Sequence, residues 1–532
     1  MTDHPTSTPV HANAHKCDAC RRSTVRSAAP TTVLLTGATG FLGHYVLAEL
    51  LRCTDSCCRV LLRPPVSDGL TRLASLLDDL GIDCAAMRSA GRLIPVEGAL
   101  PDGLCAESGT GVDLIVHVAG NTAFHCDARG EPVRTNVEGT RTMLDFADRT
   151  GIRRFALVST AFVCGDLTGH LPESLYPDAP PFRNAYEQSK WTAETMVAEW
   201  AGRGLGAATI LRPSILFGDS QSGRATSPAG LLLVARATEI LARAAGSAPE
   251  LDRRRIPLRI LGSPHATCNV VPVDWAAGHI VRLACASTDP CDVYHITNPH
   301  PPTHAQVKQW LEQYFNIAGG TFCDGHQPLD HPNHYEDLFY SLGDICLDYF
   351  RSGTSFQSRC SAGVRRRQPL IDRDAFFRCL RHAQHNEWYR RRRSTRSSQP
   401  TNGHVSPTWY FERFLPAAVP RSRIASVHGL DAVVRYTITG THSGSWVNRF
   451  CAGQLTESRS DSHATDTDFE YRLTYDDFQR IVTCRERIQD VFFRGGAQVL
   501  GNVERALQLV PIIGAFIQEF PVCDGLARSL IC

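Results

Sequence analysis

Short apolar runs alternate with longer amphipathic stretches along residues 31–300. The short runs are rich in Val, Ile and Leu, which is typical of buried strands, and the stretches between them have helical spacing. Strands that alternate with helices predict βαβ units, so we expect an α/β fold with a doubly wound parallel sheet. The predicted strands are Thr32–Thr36, Arg59–Leu62, Leu93–Val96, Leu114–Val118, Arg154–Ser159 and Ala208–Arg212.

The pattern changes after residue 300. Residues 301–388 are aromatic and predict a mostly helical extension of the first domain. Residues 389–404 are basic and serine-rich. This composition favours a solvated linker over a contact with nucleic acid or anionic lipid. Residues 1–30 have no periodicity and predict a disordered tail.

A second domain is predicted after the linker, over residues 405–525. Its first half contains short alternating runs, and residues 475–520 have helical spacing, so the expected class is α+β. A second domain also agrees with a length of 532 residues, which exceeds one ordinary domain. The predicted strands are Ala432–Thr437, Gly444–Cys451 and Asp468–Leu473.

Composition narrows the classes of partner. The formal net charge is +1, so no basic field predicts nucleic-acid binding, and no apolar run is long enough to span a membrane. The polar N-terminus does not resemble a signal peptide, so we expect a cytoplasmic protein whose 20 cysteines are free thiols. Cys17 and Cys20 have the spacing of a zinc pair but no partner pair, so no metal site is expected.

A glycine-rich turn follows the first predicted strand. The segment TVLLTGATGFLG places Gly37, Gly40 and Gly43 between a buried strand and a helix predicted over His44–Arg52. In that context, glycines allow a tight turn, a close approach of the backbone to a pyrophosphate and close packing of the helix. The helix N-terminus attracts the phosphates. These features favour a Rossmann-type dinucleotide site over a purely structural turn.

The end of the second predicted strand bears on which dinucleotide binds. Arg63 lies 20 residues after Gly43, where an acidic residue would bond the ribose hydroxyls of NAD. An arginine suits a 2′-phosphate, so the predicted cofactor is NADP(H); the alternative is a solvent-facing strand end. The turn residues expected to contact the cofactor are Gly37, Thr39, Gly40, Phe41, Leu42 and Gly43.

The candidate catalytic pair is Tyr186 and Lys190, which share one face of a predicted helix. A nearby ammonium lowers the pKa of a phenol, so the pair is expected to exchange a proton with a carbonyl or alcohol oxygen. Taken alone, the spacing also fits an ordinary amphipathic helix. Thr160 ends a buried predicted strand and is a candidate donor to the substrate oxygen, with Ser159 in support.

Several motifs in order resemble the extended short-chain dehydrogenase/reductase superfamily over residues 31–300: TGATGFLG, NVEGT, STAFVCG, YEQSK and LRPSILFGDS. The wording is most similar to the thioester-reductase and fatty acyl-CoA reductase branch, the male-sterility type. The resemblance implies Thr160, Tyr186 and Lys190 as catalytic residues and Asn136 in support. It also implies that Lys190 holds the nicotinamide ribose and that Ala119 and Pro213 lie near the nicotinamide. One departure from the family pattern is Glu97–Leu100, which lacks the usual aspartate beside the adenine.

The end of the chain resembles the sterol-carrier-protein-2 type of lipid-binding domain. The resemblance covers roughly residues 405–520 and rests mainly on Tyr471–Phe478 and Asp490–Leu509. It implies a sheet and helices around an apolar tunnel for acyl chains, acyl-CoA or sterols. The alternative is that the apolar side chains form only a packed core. The candidate tunnel residues are Val499, Leu507, Leu509, Ile512, Ile513 and Phe516.

Three functions remain open from the sequence. The first, which we prefer, is an NADPH-dependent reductase of a lipid-like acyl thioester, either acyl-CoA or bound to an acyl carrier protein, that yields aldehyde or alcohol. The second is an oxidoreductase or epimerase that acts on a hydroxyl or keto group of a sterol, lipid or nucleotide sugar. The third is a non-catalytic lipid carrier with a dinucleotide-binding domain. Fold alone does not separate them. Residues 301–388 are expected to cover the substrate side.

Overall fold

The computed structural model describes residues 30–520 and 522, with gaps. The gaps are residues 125, 127–129, 227–229, 248–254, 288, 324–328, 334, 338, 341–348, 350–352, 362–369, 387, 389–404, 423–430, 462–465, 487, 489–490 and 492–495. The predicted tail, apart from Pro30, and the whole predicted linker therefore lie outside the described residues. Cys17 and Cys20 lie outside them as well.

The strands of the first domain and its extension follow the predicted order. They are β1 (Thr32–Thr36), β2 (Cys57–Leu62), β3 (Leu93–Ala99), β4 (Gly103–Leu104), β5 (Leu114–His117), β6 (Arg154–Val158), β7 (Gly169–Leu171), β8 (Ala207–Pro213), β9 (Ile215–Phe217), β10 (Arg255–Leu261), β11 (Val270–Pro272), β12 (Cys291–Ile296), β13 (Ala318–Cys323) and β14 (Thr354–Phe356). The helices are α1 (Phe41–Cys53), α2 (Val66–Asp78), α3 (Cys84–Ser89), α4 (Gly139–Thr150), α5 (Ala185–Gly202), α6 (Leu231–Ser247), α7 (Val273–Ala286), α8 (His304–Phe315) and α9 (Arg373–His385).

The large sheet has the order β12-β8-β6-β5-β1-β2-β3-β4. All neighbouring strands are parallel except the short edge strand β4. The order runs outward from β1 in both directions, which is the doubly wound arrangement, so the predicted fold class is confirmed. All six predicted strands are present, with ends that agree to within three residues.

Both faces of the sheet are buried, which explains the nearly continuous apolar runs. In β1, Val33 and Leu35 face a core that includes side chains of α1 and α7, such as Val46 and Ile280. Leu34 points to the opposite face, where it joins a core that includes Trp200 of α5. Successive side chains of a strand point to opposite faces, so a strand between two helical layers has no polar face.

The expectation of a mostly helical extension was incomplete. Helices α8 and α9 are present, but β13 pairs with β10 and β14 pairs with β7, both in parallel. The extension therefore shares small sheets with residues that precede position 300. Its core also contains Phe217 of β9 and Phe376 of α9, whose rings stack 5.4 Å apart.

The second domain has its own mixed sheet of five strands, in the order β17-β16-β15-β18-β19. Its central pair, β15 and β18, is parallel and the other pairs are antiparallel. The strands are β15 (Ala432–Thr439), β16 (Gly444–Cys451), β17 (Gln454–Ser460), β18 (Phe469–Thr474) and β19 (Ala497–Gly501). The helices are α10 (Pro407–Trp409), α11 (Leu415–Ala418), α12 (Tyr475–Val482) and α13 (Val503–Glu519).

Two strands of this domain were not predicted. The interpretation of residues 475–520 as helical was wrong at β19, which lies between α12 and α13 and pairs with β18. Strand β17 has the polar sequence QLTESRS, which gives no apolar alternation. Both strands lie at the edges of the sheet, so each has one paired neighbour and little to bury.

Of the helices that the structure describes, none combines the length and the hydropathy that a membrane crossing requires.

Candidate active site

The glycine turn lies between β1 and α1 with the expected geometry. Gly37 has a φ of +74°, and a Cβ atom there would lie 2.6 Å from the backbone nitrogen of Ala119. A Cβ on Gly43 would lie 2.0 Å from the carbonyl oxygen of Gly37. Each position therefore requires glycine, one for the turn and the contact with β5 and the other for helix packing.

The first turn of α1 is left open for a ligand. Gly40 is the N-cap residue and gives no side-chain capping bond. A Cβ on Gly40 would meet only the Gly37 carbonyl oxygen, at 3.2 Å. Thr39 is half-buried in the turn, and Leu42 is buried in the core. Phe41 is partly buried, and its ring packs edge-on against the Tyr45 ring with 6.1 Å between the ring centroids. The open turn suits a pyrophosphate, because unsatisfied helix N–H groups and the helix dipole attract anions.

The remaining predicted cofactor residues lie at the carboxyl edge of the sheet. Pro213 ends β8, is buried and is paired with Ile296 of β12. Arg63 follows β2 directly and its side chain is exposed. Because β2 runs parallel to β1, Arg63 lies at the same edge as Gly37, one strand away. Ala119 follows β5 and adjoins the glycine turn, as the Gly37 contact shows.

Asn136 connects the cofactor edge with the catalytic helix. Its Oδ1 accepts a hydrogen bond from the backbone nitrogen of Asn121, and its Nδ2 donates to the Asn121 carbonyl oxygen, each at 2.8 Å. The same Nδ2 lies 2.8 Å from the Ser189 hydroxyl, which donates to the Tyr186 carbonyl oxygen at 2.8 Å. The side chain is buried. Asn136 therefore fixes the loop after β5 against the first turns of α5.

Lys190 is buried beside this loop. Its Nζ donates to the Val158 carbonyl oxygen at 2.7 Å, and a Cβ on Gly120 would lie 3.6 Å from the same Nζ. Burial lowers the pKa of Lys190 to about 8, against the opposing effect of the Glu194 carboxylate. The ammonium therefore lies at the ends of β5 and β6, next to the loop that follows β5.

Tyr186 and Thr160 meet at the substrate side of this edge. Burial raises the pKa of Tyr186 and the Thr160 hydroxyl lowers it, so the two hydroxyls lie near each other. Thr160 also caps the short turn Ala161–Cys164, since its Oγ1 accepts from the Phe162 nitrogen at 3.3 Å. The neighbouring Ser159 is buried, and its hydroxyl has no partner within the described part of the chain.

The Lys190 ammonium was expected to lower the pKa of Tyr186, and it has no such effect. Burial raises the pKa of Tyr186 to about 12, the Thr160 hydroxyl lowers it in part, and the Glu187 carboxylate raises it. The Lys190 ammonium instead donates a hydrogen bond to the Val158 carbonyl oxygen. Tyr186 is therefore a protonated phenol at neutral pH.

A buried histidine that the sequence analysis did not identify lies behind the site. His117 Nδ1 is 2.8 Å from the Thr36 hydroxyl, and its Nε2 is 3.3 Å from the Thr140 hydroxyl. Thr140 donates to the Asn136 carbonyl oxygen, and Thr36 accepts from the Ala119 nitrogen. These roles require a neutral ring with its proton on Nε2. Burial, with a further effect of Lys190, lowers the pKa of His117 to about 3.

Four further side chains surround Tyr186 and were also missed. The Phe124 ring stacks on Tyr186 with 6.3 Å between the ring centroids, and Tyr349 contacts Phe124 at 5.7 Å. Glu187 is fully buried and pairs with Arg183 at 3.0 Å. The spacing of Arg183 and Glu187 is visible in the sequence as an i,i+4 pair of opposite charge. Phe124 and Tyr349 gave no such signal, because they lie far from Tyr186 along the chain.

Comparisons with known proteins agree with this geometry. Residues 35–280 match the Male sterility protein family of NAD-binding domains. The terminal R domain from the myxalamid PKS-NRPS biosynthetic pathway has a similar structure, with 26% identity and a TM-score of 0.54 over 68% of this chain and 92% of that one. Glycine betaine reductase ATRR of Emericella nidulans is 28% identical over 68% of this chain and 29% of its own length. The isonitrile lipopeptide synthase of Streptomyces coeruleorubidus is 30% identical over 54% of this chain and 19% of its own length.

The chain thus spans less than a third of the length of these two curated relatives. The match to the family covers the glycine turn, Asn136, Thr160 and the helix that carries Tyr186 and Lys190. Residues 35–280 thus match the model of the male sterility protein family, and this match together with the similar R domain supports an NAD(P)-dependent oxidoreductase domain.

Proposed function

We propose that the chain is an NADPH-dependent reductase of a lipid-like acyl thioester, bound to CoA or to an acyl carrier protein, that yields an aldehyde or an alcohol. The observation that carries the proposal is the arrangement of Lys190 and Asn136, which are fixed by hydrogen bonds beside Tyr186 and Thr160 at the same sheet edge as the glycine turn. The similar R domain and the relatives named as a reductase and a lipopeptide synthase support a thioester substrate.

The residues of the first domain fit a dinucleotide. The open first turn of α1 and the close approach of Gly37 to Ala119 leave room for a pyrophosphate. We propose that the exposed guanidinium of Arg63 binds a 2′-phosphate, which would select NADP over NAD. Lys190 would hold the nicotinamide ribose, and Pro213 and Ala119 would flank the nicotinamide.

The proposed chemistry assigns one role to each polar group. Bound NADPH supplies a hydride to the thioester carbonyl carbon. Thr160 and Tyr186 donate hydrogen bonds to the carbonyl oxygen and stabilise the negative charge that develops on it. When the carbon–sulfur bond breaks, the thiol leaves with a proton and an aldehyde remains. The balance is one thioester, one NADPH and one proton in, and one aldehyde, one thiol and one NADP⁺ out.

The protonation state of Tyr186 suits this direction. Because burial raises its pKa to about 12, the phenol retains its proton at neutral pH and can donate to a carbonyl oxygen. In a second cycle with a second NADPH, hydride would add to the aldehyde carbon, and the same donor would protonate the aldehyde oxygen to yield the alcohol. Asn136, through Ser189, would hold the backbone of Tyr186 in place.

For the second domain, we propose a sterol-carrier-protein-2-like role in binding the acyl chain, within the boundaries 405–525. Its helices cover one face of the sheet, and Leu509 and Phe516 on α13 face this apolar layer. Val499, Ile512 and Ile513 are partly buried against it, and the side chain of Leu507 lies outside the described set. Burial of each methylene of a chain is worth about 0.8 kcal/mol, so an apolar layer of this kind would hold a long chain without specific polar contacts.

A substrate panel tests the proposal. NADPH oxidation would be followed with a long-chain acyl-CoA, a 3-ketosteroid and a sugar nucleotide. We expect turnover on the acyl-CoA together with release of free thiol. Turnover only on the ketosteroid or the sugar nucleotide would contradict the thioester assignment. Absence of turnover on all three, with retained binding of a fluorescent fatty acid, would indicate a lipid carrier.

A further inference from the structure

Tyr349 lies in the extension, more than 150 residues after Tyr186, yet it packs against the start of the catalytic helix. Its hydroxyl is 3.0 Å from Asn184 Nδ2, which donates to it. Asn184 is the N-cap residue of α5, and its Oδ1 accepts from the Glu187 nitrogen at 3.0 Å. The hydroxyl therefore contacts the residue that sets where the helix begins, two positions before Tyr186.

The same hydroxyl also reaches the first turn of the helix. The hydroxyl accepts from Asn184 and also faces the Glu187 carboxylate: burial raises the pKa of Tyr349, and the Glu187 carboxylate raises it further. The Glu187 carboxylate is fully buried and also accepts from the backbone nitrogen of Arg183 at 2.9 Å and from its Nε at 3.0 Å. One hydroxyl from the extension thus connects the residues on both sides of Tyr186.

The ring of Tyr349 completes an aromatic wall. Its ring centroid lies 4.8 Å from that of Phe162, which it meets edge-on, and 5.7 Å from that of Phe124. The Phe124 ring in turn stacks on Tyr186. The Arg183 guanidinium lies over the Tyr349 ring at 4.5 Å. Phe162 belongs to the turn that Thr160 caps. The ring therefore contacts the elements that carry both proposed oxyanion donors.

We propose that Tyr349 is a positioning residue of the reductase site, whose hydroxyl and ring hold Tyr186 and Thr160 in the geometry that proton donation requires. The proposal rests on the proposed function of that site. It gives the extension a role in the chemistry itself, because a donor that moves by a fraction of an ångström loses much of its effect on the transition state.

Tyr349→Phe tests the hydroxyl, since it keeps the ring. We expect kcat to fall by about tenfold with KM nearly unchanged, because alignment of the donor and not substrate binding is lost. The matched control is Tyr340→Phe. That hydroxyl also lies in the extension and makes two hydrogen bonds, to the Leu261 nitrogen and the Arg259 carbonyl oxygen, but these hold β10. The control should keep wild-type kcat.

Tyr349→Leu tests the ring, and it should lower kcat further and raise KM. Hydrogen exchange of the amides of residues 184–190 provides a readout that does not need turnover. Tyr349→Phe should speed exchange there, and Tyr340→Phe should not. Wild-type kcat together with unchanged exchange in Tyr349→Phe would overturn the proposal.

The experiment separates the two proposals. If the wild type reduces a ketosteroid or a sugar nucleotide and not a thioester, the thioester assignment fails, and the same kcat comparison on the accepted substrate still decides the role of Tyr349. If no substrate is turned over, faster exchange at residues 184–190 supports the positioning role and unchanged exchange contradicts it.

Discussion

The two sheets of this chain bury different kinds of side chain. At the carboxyl edge of the first sheet, buried polar groups are joined by hydrogen bonds, among them Thr36, His117, Asn136 and Lys190. The helix-covered face of the second sheet is filled by apolar and aromatic groups such as Val434, Trp446 and Phe469. One polar side chain buried on the second sheet is Asn448, whose Oδ1 accepts a hydrogen bond from the Ser458 hydroxyl at 2.7 Å.

This difference indicates where chemistry takes place. A buried polar group costs free energy unless it is hydrogen-bonded, so a network of several such groups at one edge is expected where it serves a reaction. An apolar face has no such cost and gains free energy from burial alone. The first sheet therefore has the polar edge that the proposed transfer of a hydride and a proton requires, and the second sheet buries apolar surface.

The largest effect is expected from Tyr186→Phe. Loss of the proposed proton donor should lower kcat by about 10²–10⁴-fold, while NADPH affinity from fluorescence titration stays unchanged. The matched change in the other sheet is Tyr471→Phe. The Tyr471 hydroxyl is buried and donates to the Ala506 carbonyl oxygen at 2.6 Å. That variant should lose about 1 kcal/mol of unfolding free energy and keep its kcat. Equal kcat losses in both variants would contradict the division of roles.

Phe469→Ala tests whether the second sheet is only an apolar scaffold. Phe469 is almost fully buried at the centre of its domain. Its truncation should lower the unfolding free energy of that domain by about 3–5 kcal/mol, measured by urea denaturation. The Kd for NADPH should stay within a factor of two or so of the wild-type value. A large loss of NADPH affinity would mean that the two domains share one site.

Arg63→Asp sharpens the cofactor assignment in the first domain. The substitution replaces a charge that attracts a 2′-phosphate with one that repels it. We expect NADPH affinity to fall by about 10- to 100-fold and NADH affinity to stay the same or to rise. Isothermal titration with both cofactors measures the ratio. An equal loss of affinity for NADPH and NADH would show that Arg63 does not bind the 2′-phosphate. Arg59→Asp is a control on the same strand.

A smaller effect concerns pH. The pKa of Lys190 is lowered by burial to about 8, so its ammonium is present below that pH and is lost above it. We expect kcat/KM to fall as the pH rises through 8. The free energy of unfolding should instead rise with pH, because the unfolded chain binds more protons than the folded chain between pH 8 and the ordinary lysine pKa of about 10.4. The unfolding free energy of Lys190→Met minus that of the wild type should therefore be larger at pH 7 than at pH 10.

Much of the first domain was predictable because its signals are local. The strand, the three glycines and the helix after them lie within one short segment, and the structure reproduces them. The helix begins at Phe41 and not at His44, since the extended Gly40 already caps it. Tyr186 and Lys190 lie four residues apart, so helical periodicity alone places them on one face.

The missed features depend on contacts between distant residues. Tyr349 reaches Asn184 across 165 positions, and no periodic pattern records such a pair. His117 lies in an apolar strand, where the hydroxyls of Thr36 and Thr140 satisfy its ring nitrogens. Strand β19 is a strand only because it pairs with β18. In each case, tertiary contacts and not local preference decide the outcome.

The most direct test of the central claim follows the hydride. NADPH that carries deuterium at the transferable position of nicotinamide C4 would be incubated with the wild-type chain and a long-chain acyl-CoA. The products would be analysed by mass spectrometry alongside a thiol assay. The account predicts aldehyde or alcohol with deuterium on C1, and one free thiol for each molecule of labelled product. Release of thiol with an unlabelled carboxylate, or consumption of NADPH without labelled product, would contradict it.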